Sequence, residues 1–170
     1  MKRFFLLFIC CVICNGIFAQ SLGKMALGCK RTDIPFSLPK GYNVCRINTD
    51  NQLTYTTDKG DEYVSFYLKD GIVYKITMHK FVEYTSNADE LKSKLEELIM
   101  NLYETWGEPS HVGENIYWNF SSSKATFSYT VSTSTIDMDP LNLYESGYRT
   151  YYKCYADIKL EKRTNTSLFE

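Results

Sequence analysis

One segment of the 170-residue chain repeats with the period of a helix, and it separates two stretches that repeat with the period of a strand. From Asn87 to Gly107 it reads NADELKSKLEELIMNLYETWG. Leu91, Leu95, Leu98, Leu102 and Trp106 recur at the three- and four-residue spacing that lays one apolar stripe along a helix. Asn87 stands where an N-cap belongs, with Glu90 three residues on as in a capping box. Gly107 and Pro109 close the segment, because Gly takes the left-handed conformation and Pro cannot continue a helix. A helix with a single stripe has to bury it. Burying four Leu and one Trp contributes on the order of 10 kcal/mol before entropy is subtracted. The alternating stretches on either side are the surface available for that burial.

Those stretches carry strand signals. Asp70-Gly71 lies between two runs of β-branched and aromatic residues, and Asp-Gly favours a two-residue hairpin turn because both turn positions need positive φ. Strict two-residue pairing from that turn sets Leu68 against Val73, Phe66 against Lys75 and Val64 against Thr77. On the other face it sets Tyr67 against Tyr74 and Tyr63 against Met78. A turn at Ser121-Ser122 sets Trp118 against Ala125 and Ile116 against Phe127. In YRTYYKCYADIKLEK, Tyr148, Tyr152, Cys154, Ala156, Ile158 and Leu160 share one side, and Tyr151 and Tyr155 lie on the other. Asp33 and Pro35 suggest a short helical turn, and residues 134–147 a long loop. Strands, one helix, then strands, with short hairpin links, predict an α+β domain: a mainly antiparallel β-sheet with one long helix packed on one face, in two layers.

The first residues, MKRFFLLFICCVICNGIFAQ, have the layout of a secretory signal peptide, with a basic start, an apolar run and Ala19 before Gln20. The domain plan is then a signal peptide over 1–19, a single α+β domain over 20–162 and a frayed tail over 163–170. The expected location is the periplasm or the cell exterior, with association to the outer membrane as a variant of that reading. Lipidation at Cys29 is disfavoured: in MALGC, Ala26 stands where a lipoprotein box usually has Leu, and Lys24 interrupts the apolar run. Setting the leader aside moves the net charge from −1 to about −3. With no basic block, a nucleic-acid partner is not expected, and no second apolar run is long enough for a transmembrane segment in the mature chain. Cys29, Cys45 and Cys154 remain, and Cys29–Cys45 is the locally plausible disulfide.

Chemistry-bearing clusters are sparse. His79, read as a strand residue beside Glu62, and His111, read as a loop residue, are the two histidines, and no G-x-S-x-G elbow accompanies them. Cys154 falls among core-facing residues, where a thiol is inert. The acidic groups Asp58, Asp61, Glu62 and Asp137, Asp139, Asn142 lack the full calcium-loop pattern. No catalytic residue, metal site or cofactor is predicted. The surplus is aromatic: all 14 Tyr lie beyond the leader. Tyr117, Tyr151 and Tyr155 fall on the face opposite Trp118 and Cys154, and Tyr63, Tyr67 and Tyr74 gather on the first hairpin. Exposed Tyr offers contact area at low entropy cost, which suits a protein, peptide or carbohydrate partner.

The FAQ end of the leader, the KDGIVYKI hairpin and the Leu-rich helix closing in WGEP before YWNF resemble small exported proteins of Gram-negative bacteria of the Bacteroidetes kind. That resemblance carries no assigned activity. A looser likeness runs to small envelope-assembly lipoproteins. The leading expectation is an exported, non-catalytic binding or envelope-associated domain. A hydrolase acting on sugar or peptide through loop carboxylates and His111, and an inhibitor or immunity-type protein using the 134–147 loop, are the alternatives.

Overall fold

The computed structural model describes residues 27–38, 40–45, 48–137 and 148–163. The proposed leader, most of the 134–147 segment and the tail beyond Arg163 lie outside the described residues. Eight strands form one antiparallel sheet: β1 (Tyr42–Val44), β2 (Gln52–Thr57), β3 (Glu62–Lys69), β4 (Ile72–Thr85), β5 (His111–Val112), β6 (Ile116–Asn119), β7 (Ser123–Asp137) and β8 (Tyr148–Lys162). A short helix, α1 (Ile34–Ser37), precedes β1, and the 19-residue α2 (Ala88–Trp106) precedes β5. The spatial order is β1-β2-β3-β4-β8-β7-β6-β5. The chain therefore runs twice through a helix and a four-stranded meander, and the last strands of the two meanders pair with each other. This is an α+β arrangement, with α2 packed against β4 and β8.

Local chemistry explains the helix ends. The Asn87 side chain accepts from the backbone N–H groups of Asp89 and Glu90. Glu90 does not reach back to Asn87 directly. Its Oε2 accepts from Thr85 Oγ1 (2.7 Å), and Thr85 Oγ1 accepts from Asn87 N (3.0 Å), so the capping box is completed through a hydroxyl. Gly107, at φ 77°, ends the helix, and its N–H donates to Tyr103 O. Asn87→Ala is expected to lower unfolding free energy by about 1 kcal/mol, the usual loss for an N-cap acceptor. Urea titration with unchanged slope would verify it, and an effect below about 0.3 kcal/mol would mean that Thr85 and Glu90 suffice as a cap.

One sheet face forms the core. Val64, Phe66, Leu68, Ile76 and Met78 from the first meander meet Ile116, Trp118, Ala125, Phe127, Ala156 and Ile158 from the second. Leu102 of α2 and Ile34 of α1 cover this cluster, while Leu91 and Leu95 cover Cys154 and Val82. Leu98 and Trp106 are half-buried, so the predicted stripe is the buried stripe.

The register of β6 and β7 is the predicted one. That of β3 and β4 is not. Asp70 (φ 52°) and Gly71 (φ 74°) make the expected turn and Leu68 pairs with Val73, but a bulge follows. Beyond it Tyr67 pairs with Lys75, Phe66 with Ile76, Val64 with Met78 and Tyr63 with His79. Strict pairing would have aimed Lys75 and Thr77 at the core. The extra residue, Tyr74, restores phase, so Ile76 and Met78 are buried instead. A second bulge, between Phe81 and Glu83, turns Val82 into the core beneath α2.

Two further expectations are corrected. Residues 134–137 belong to β7 rather than to a loop, and His111 belongs to the short edge strand β5. Arg163 still donates its backbone N–H to Ser122 O.

Candidate functional site

The sheet face turned away from α2 brings together aromatic side chains from β3, β4 and β8. Cross-strand pairing places Tyr63 beside His79, His79 beside Asp157, and Phe81 beside Tyr155. The His79 and Tyr155 rings stack with centroids 5.0 Å apart at 18°. Phe81 meets Tyr155 edge-on at 5.7 Å. Farther along, Tyr84 and Tyr151 stack at 5.3 Å and 11°. Lys153 Nζ lies 5.1 Å from the Tyr155 ring centroid, a distance at which the ring quadrupole attracts the cation. The result is a diagonal stripe: Tyr63, His79, Tyr155, Phe81, then Tyr84 and Tyr151. Tyr63 and Tyr84 are exposed, and Tyr151, Tyr155 and Phe81 are half-buried.

Around the stripe the same face is polar. Thr77 pairs with Lys159, Lys159 with Thr126 and Thr126 with Tyr117. Glu161 takes bonds from Lys124 (2.9 Å) and Lys159 (2.7 Å). Burial pushes its carboxyl up, but those two ammonium groups prevail and hold it below the usual carboxylate range.

The sequence-predicted Tyr residues are thus partly assembled. Tyr63, Tyr151 and Tyr155 enter the stripe. Tyr117 lies on the same face but on β6, with β7 between it and β8, and its ring neighbour is His111 at 6.0 Å. Tyr67 stands at the hairpin end with Lys75 Nζ 4.0 Å over its ring, and Tyr74 is the exposed bulge residue, so Tyr67 and Tyr74 do not pair. Sequence reasoning missed His79, Phe81 and Tyr84. The alternation Thr77, His79, Phe81 was a readable signal, but the bulge at Val82 hid Tyr84.

His79 is not beside Glu62. Its Nδ1 is 2.8 Å from Asp157 Oδ1, and both side chains are about half exposed. Glu62 instead points into the core face, 3 % exposed, in phase with Val64, Phe66 and Leu68. It accepts a hydrogen bond from Tyr42 OH, and Lys80 Nζ is 3.7 Å away. Burial raises the Glu62 carboxyl above its ordinary value, against the lowering pull of Tyr42 and Lys80. Burial and the same carboxylate push the Tyr42 phenol up as well.

The turn carboxylates have structural work. Asp58 accepts from Asn43 and Asp61 from Thr57. Asp139 and Asn142 lie outside the described residues. Among the described residues no three His, Cys, Asp or Glu side chains gather as a metal site, and no helix is long and apolar enough to cross a membrane.

Cys29, Cys45 and Cys154 are all free thiols, so the Cys29–Cys45 bridge is not formed. Cys45 N donates to Thr54 O of β2, whereas Cys29 O accepts from Val73 N on the far side of β4. Strands β2, β3 and β4 stand between them. At about 4.8 Å per strand, the gap exceeds the roughly 7 Å Cα separation that a disulfide allows. Burial raises the Cys154 thiol, as expected for an inert core cysteine.

No family model matches the chain, and no curated protein matches it.

Proposed function

We propose that the protein is an exported, non-catalytic binding domain of two-layer α+β build, at work in the periplasm or outside the cell, which meets a protein, peptide or carbohydrate partner with the sheet face turned away from α2. One observation carries this reading: six aromatic side chains from three strands form a stripe on a face whose surroundings are mostly polar. A core-forming face would be covered. This one leaves flat rings accessible, pre-stacked and held by strand backbone, so binding costs little side-chain entropy. Rigid Tyr rings beside Lys153 are the composition of an interface hot spot rather than of a reaction centre. His111 lies apart from the stripe on the edge strand β5, which weighs against the hydrolase alternative.

Tyr155→Ala is expected to weaken partner capture by at least ten-fold, the scale of a central aromatic anchor, because it unstacks His79 and frees Phe81 together. Tyr67→Ala, at the remote hairpin end, is expected to leave capture within two-fold. Both are read by retention of envelope proteins and of soluble glycans on the immobilised domain, with thermal unfolding run in parallel. Equal retention by Tyr155→Ala, Tyr151→Ala and wild type, all folded, would remove the stripe from consideration.

A further inference from the structure

Strand β7, as long as β8, has among the described residues no strand neighbour along most of one side. β6 pairs only with Lys124–Phe127 of β7. From Ser128 to Asp137, β7 is paired with β8 on one side and, among the described residues, with no strand on the other. Ser123 O accepts from Phe120 N on the β6 side. By strand alternation the backbone groups of Tyr129, Val131, Thr133 and Thr135 face that same open side.

Exposed edges are normally blunted by charge, Pro, bulges or brevity. Here none of these is present. Residues 125–136, ATFSYTVSTSTI, hold no charged residue, no Pro and no Gly. The β7–β8 ladder runs fifteen pairs with no register shift. Residues 129–136 are all exposed, and they include Tyr129 at 49 % and Val131 at 39 %. The core side of the same edge is unfinished as well. A cleft of about 360 Å³ opens there, with Leu91, Leu95 and Ile99 of α2 as one wall and Tyr129 and Val131 as the floor.

The geometry points to a second copy of this chain as the occupant, added antiparallel through β7 about a two-fold axis at Ser132. In that register Val131 pairs with Thr133 of the second copy and Tyr129 with Thr135, so all four outward-facing backbone positions are used from both sides. From Tyr129 to Thr135 the pairing sets neutral against neutral, with Thr130 against Ser134 and Ser132 against Ser132, hydroxyl pairs that favour antiparallel strands. It also extends the floor of each cleft by the opposing Val131 and Thr133. An isologous contact closes on itself, so it yields a dimer with a continuous sheet rather than a fibre. The aromatic stripe on β3, β4 and β8 is then presented twice on one surface, which would raise avidity for a repeating partner.

The axis at Ser132 sets the test. Ser132 meets its own copy, so Ser132→Lys opposes two ammonium groups and Ser132→Glu two carboxylates, both destabilising for directly facing strand residues. Sedimentation velocity of the purified protein is expected to show a concentration-dependent dimer. Each single variant is expected to weaken dimerisation at least ten-fold. An equimolar mixture of the Lys and Glu variants is expected to restore it. Circular dichroism confirms that the variants are folded. Wild-type protein that stays monomeric at every concentration overturns the proposal. So does a dimer that persists unchanged in both variants, or a mixture that fails to recover.

Discussion

Trp118→Ala is expected to remove about 3–5 kcal/mol of unfolding free energy, the range for emptying a buried aromatic site. Domains of this size are stable by only about 5–15 kcal/mol, so the variant should be near the edge of folding at 37 °C. The effect is large because Trp118 joins elements that are distant in sequence. It is 1 % exposed, and its Nε1–H donates to Gly107 O at 2.8 Å, just past the end of α2. Tyr103 and Trp106 from the last turn of α2 pack edge-on against its ring, at 5.9 and 5.2 Å. Removing the indole takes away the contact that fastens the C-terminal end of α2 to the second meander. Trp118→Phe separates the terms: it keeps most of the ring volume and loses the hydrogen bond, so about 1–2 kcal/mol is expected. Urea unfolding measures both. If Trp118→Ala costs less than 2 kcal/mol, α2 is held chiefly by its leucines.

The second large effect depends on pH and centres on Glu62. Its folded-state carboxyl titrates above the ordinary value of 4.5, because burial outweighs the help from Tyr42 and Lys80. The fold therefore favours the protonated form. The sign follows by linkage. The contribution of this group to stability is present in full below about 4.5 and is lost as pH climbs through the raised folded-state value. Tyr42→Phe removes the phenol that donates to the carboxylate, which pushes the carboxyl up still further. Its cost is expected to be smaller at low pH, where the protonated form is favoured, and to grow with pH by about 1–3 kcal/mol as the buried carboxyl ionises without its donor. Glu62→Gln should lack this pH-dependent loss, since an amide stays uncharged and can still accept from Tyr42. Unfolding free energies of the three proteins at pH 4, 6 and 8 decide the matter. A Tyr42→Phe cost that does not grow with pH would show that Glu62 ionises without penalty.

Neither residue was singled out for such a role by sequence patterning. Glu62 reads as one more carboxylate of the Asp58–Glu62 turn, and only its phase with Val64 and Phe66 hints at burial. Trp118 reads correctly as core-facing, but its bond to Gly107 depends on where α2 docks. The stripe shows the same division. Tyr151 and Tyr155 could be placed on the outer face because β8 alternates without interruption. Their partners His79, Phe81 and Tyr84 could not be assigned, because they belong to a strand about 70 residues earlier whose phase shifts at two bulges.

The sequence by itself determined the features that depend on neighbours a few residues away. These are the Asp70-Gly71 turn, the capped and Gly-terminated α2 with its buried stripe, the Ser121-Ser122 hairpin with its register, and the outward side of β8. Each rests on steric and hydrogen-bonding preferences that act within one turn or one hairpin. Only the tertiary structure decided that β4 pairs with β8, that Tyr74 and Val82 bulge, that Cys29 and Cys45 are held apart, and that ten residues of β7 have, among the described residues, a strand partner on one side only. Those outcomes follow from fitting two meanders and a helix around one shared core, where bringing remote segments together must outweigh the loss of chain freedom. No short stretch of residues encodes that balance.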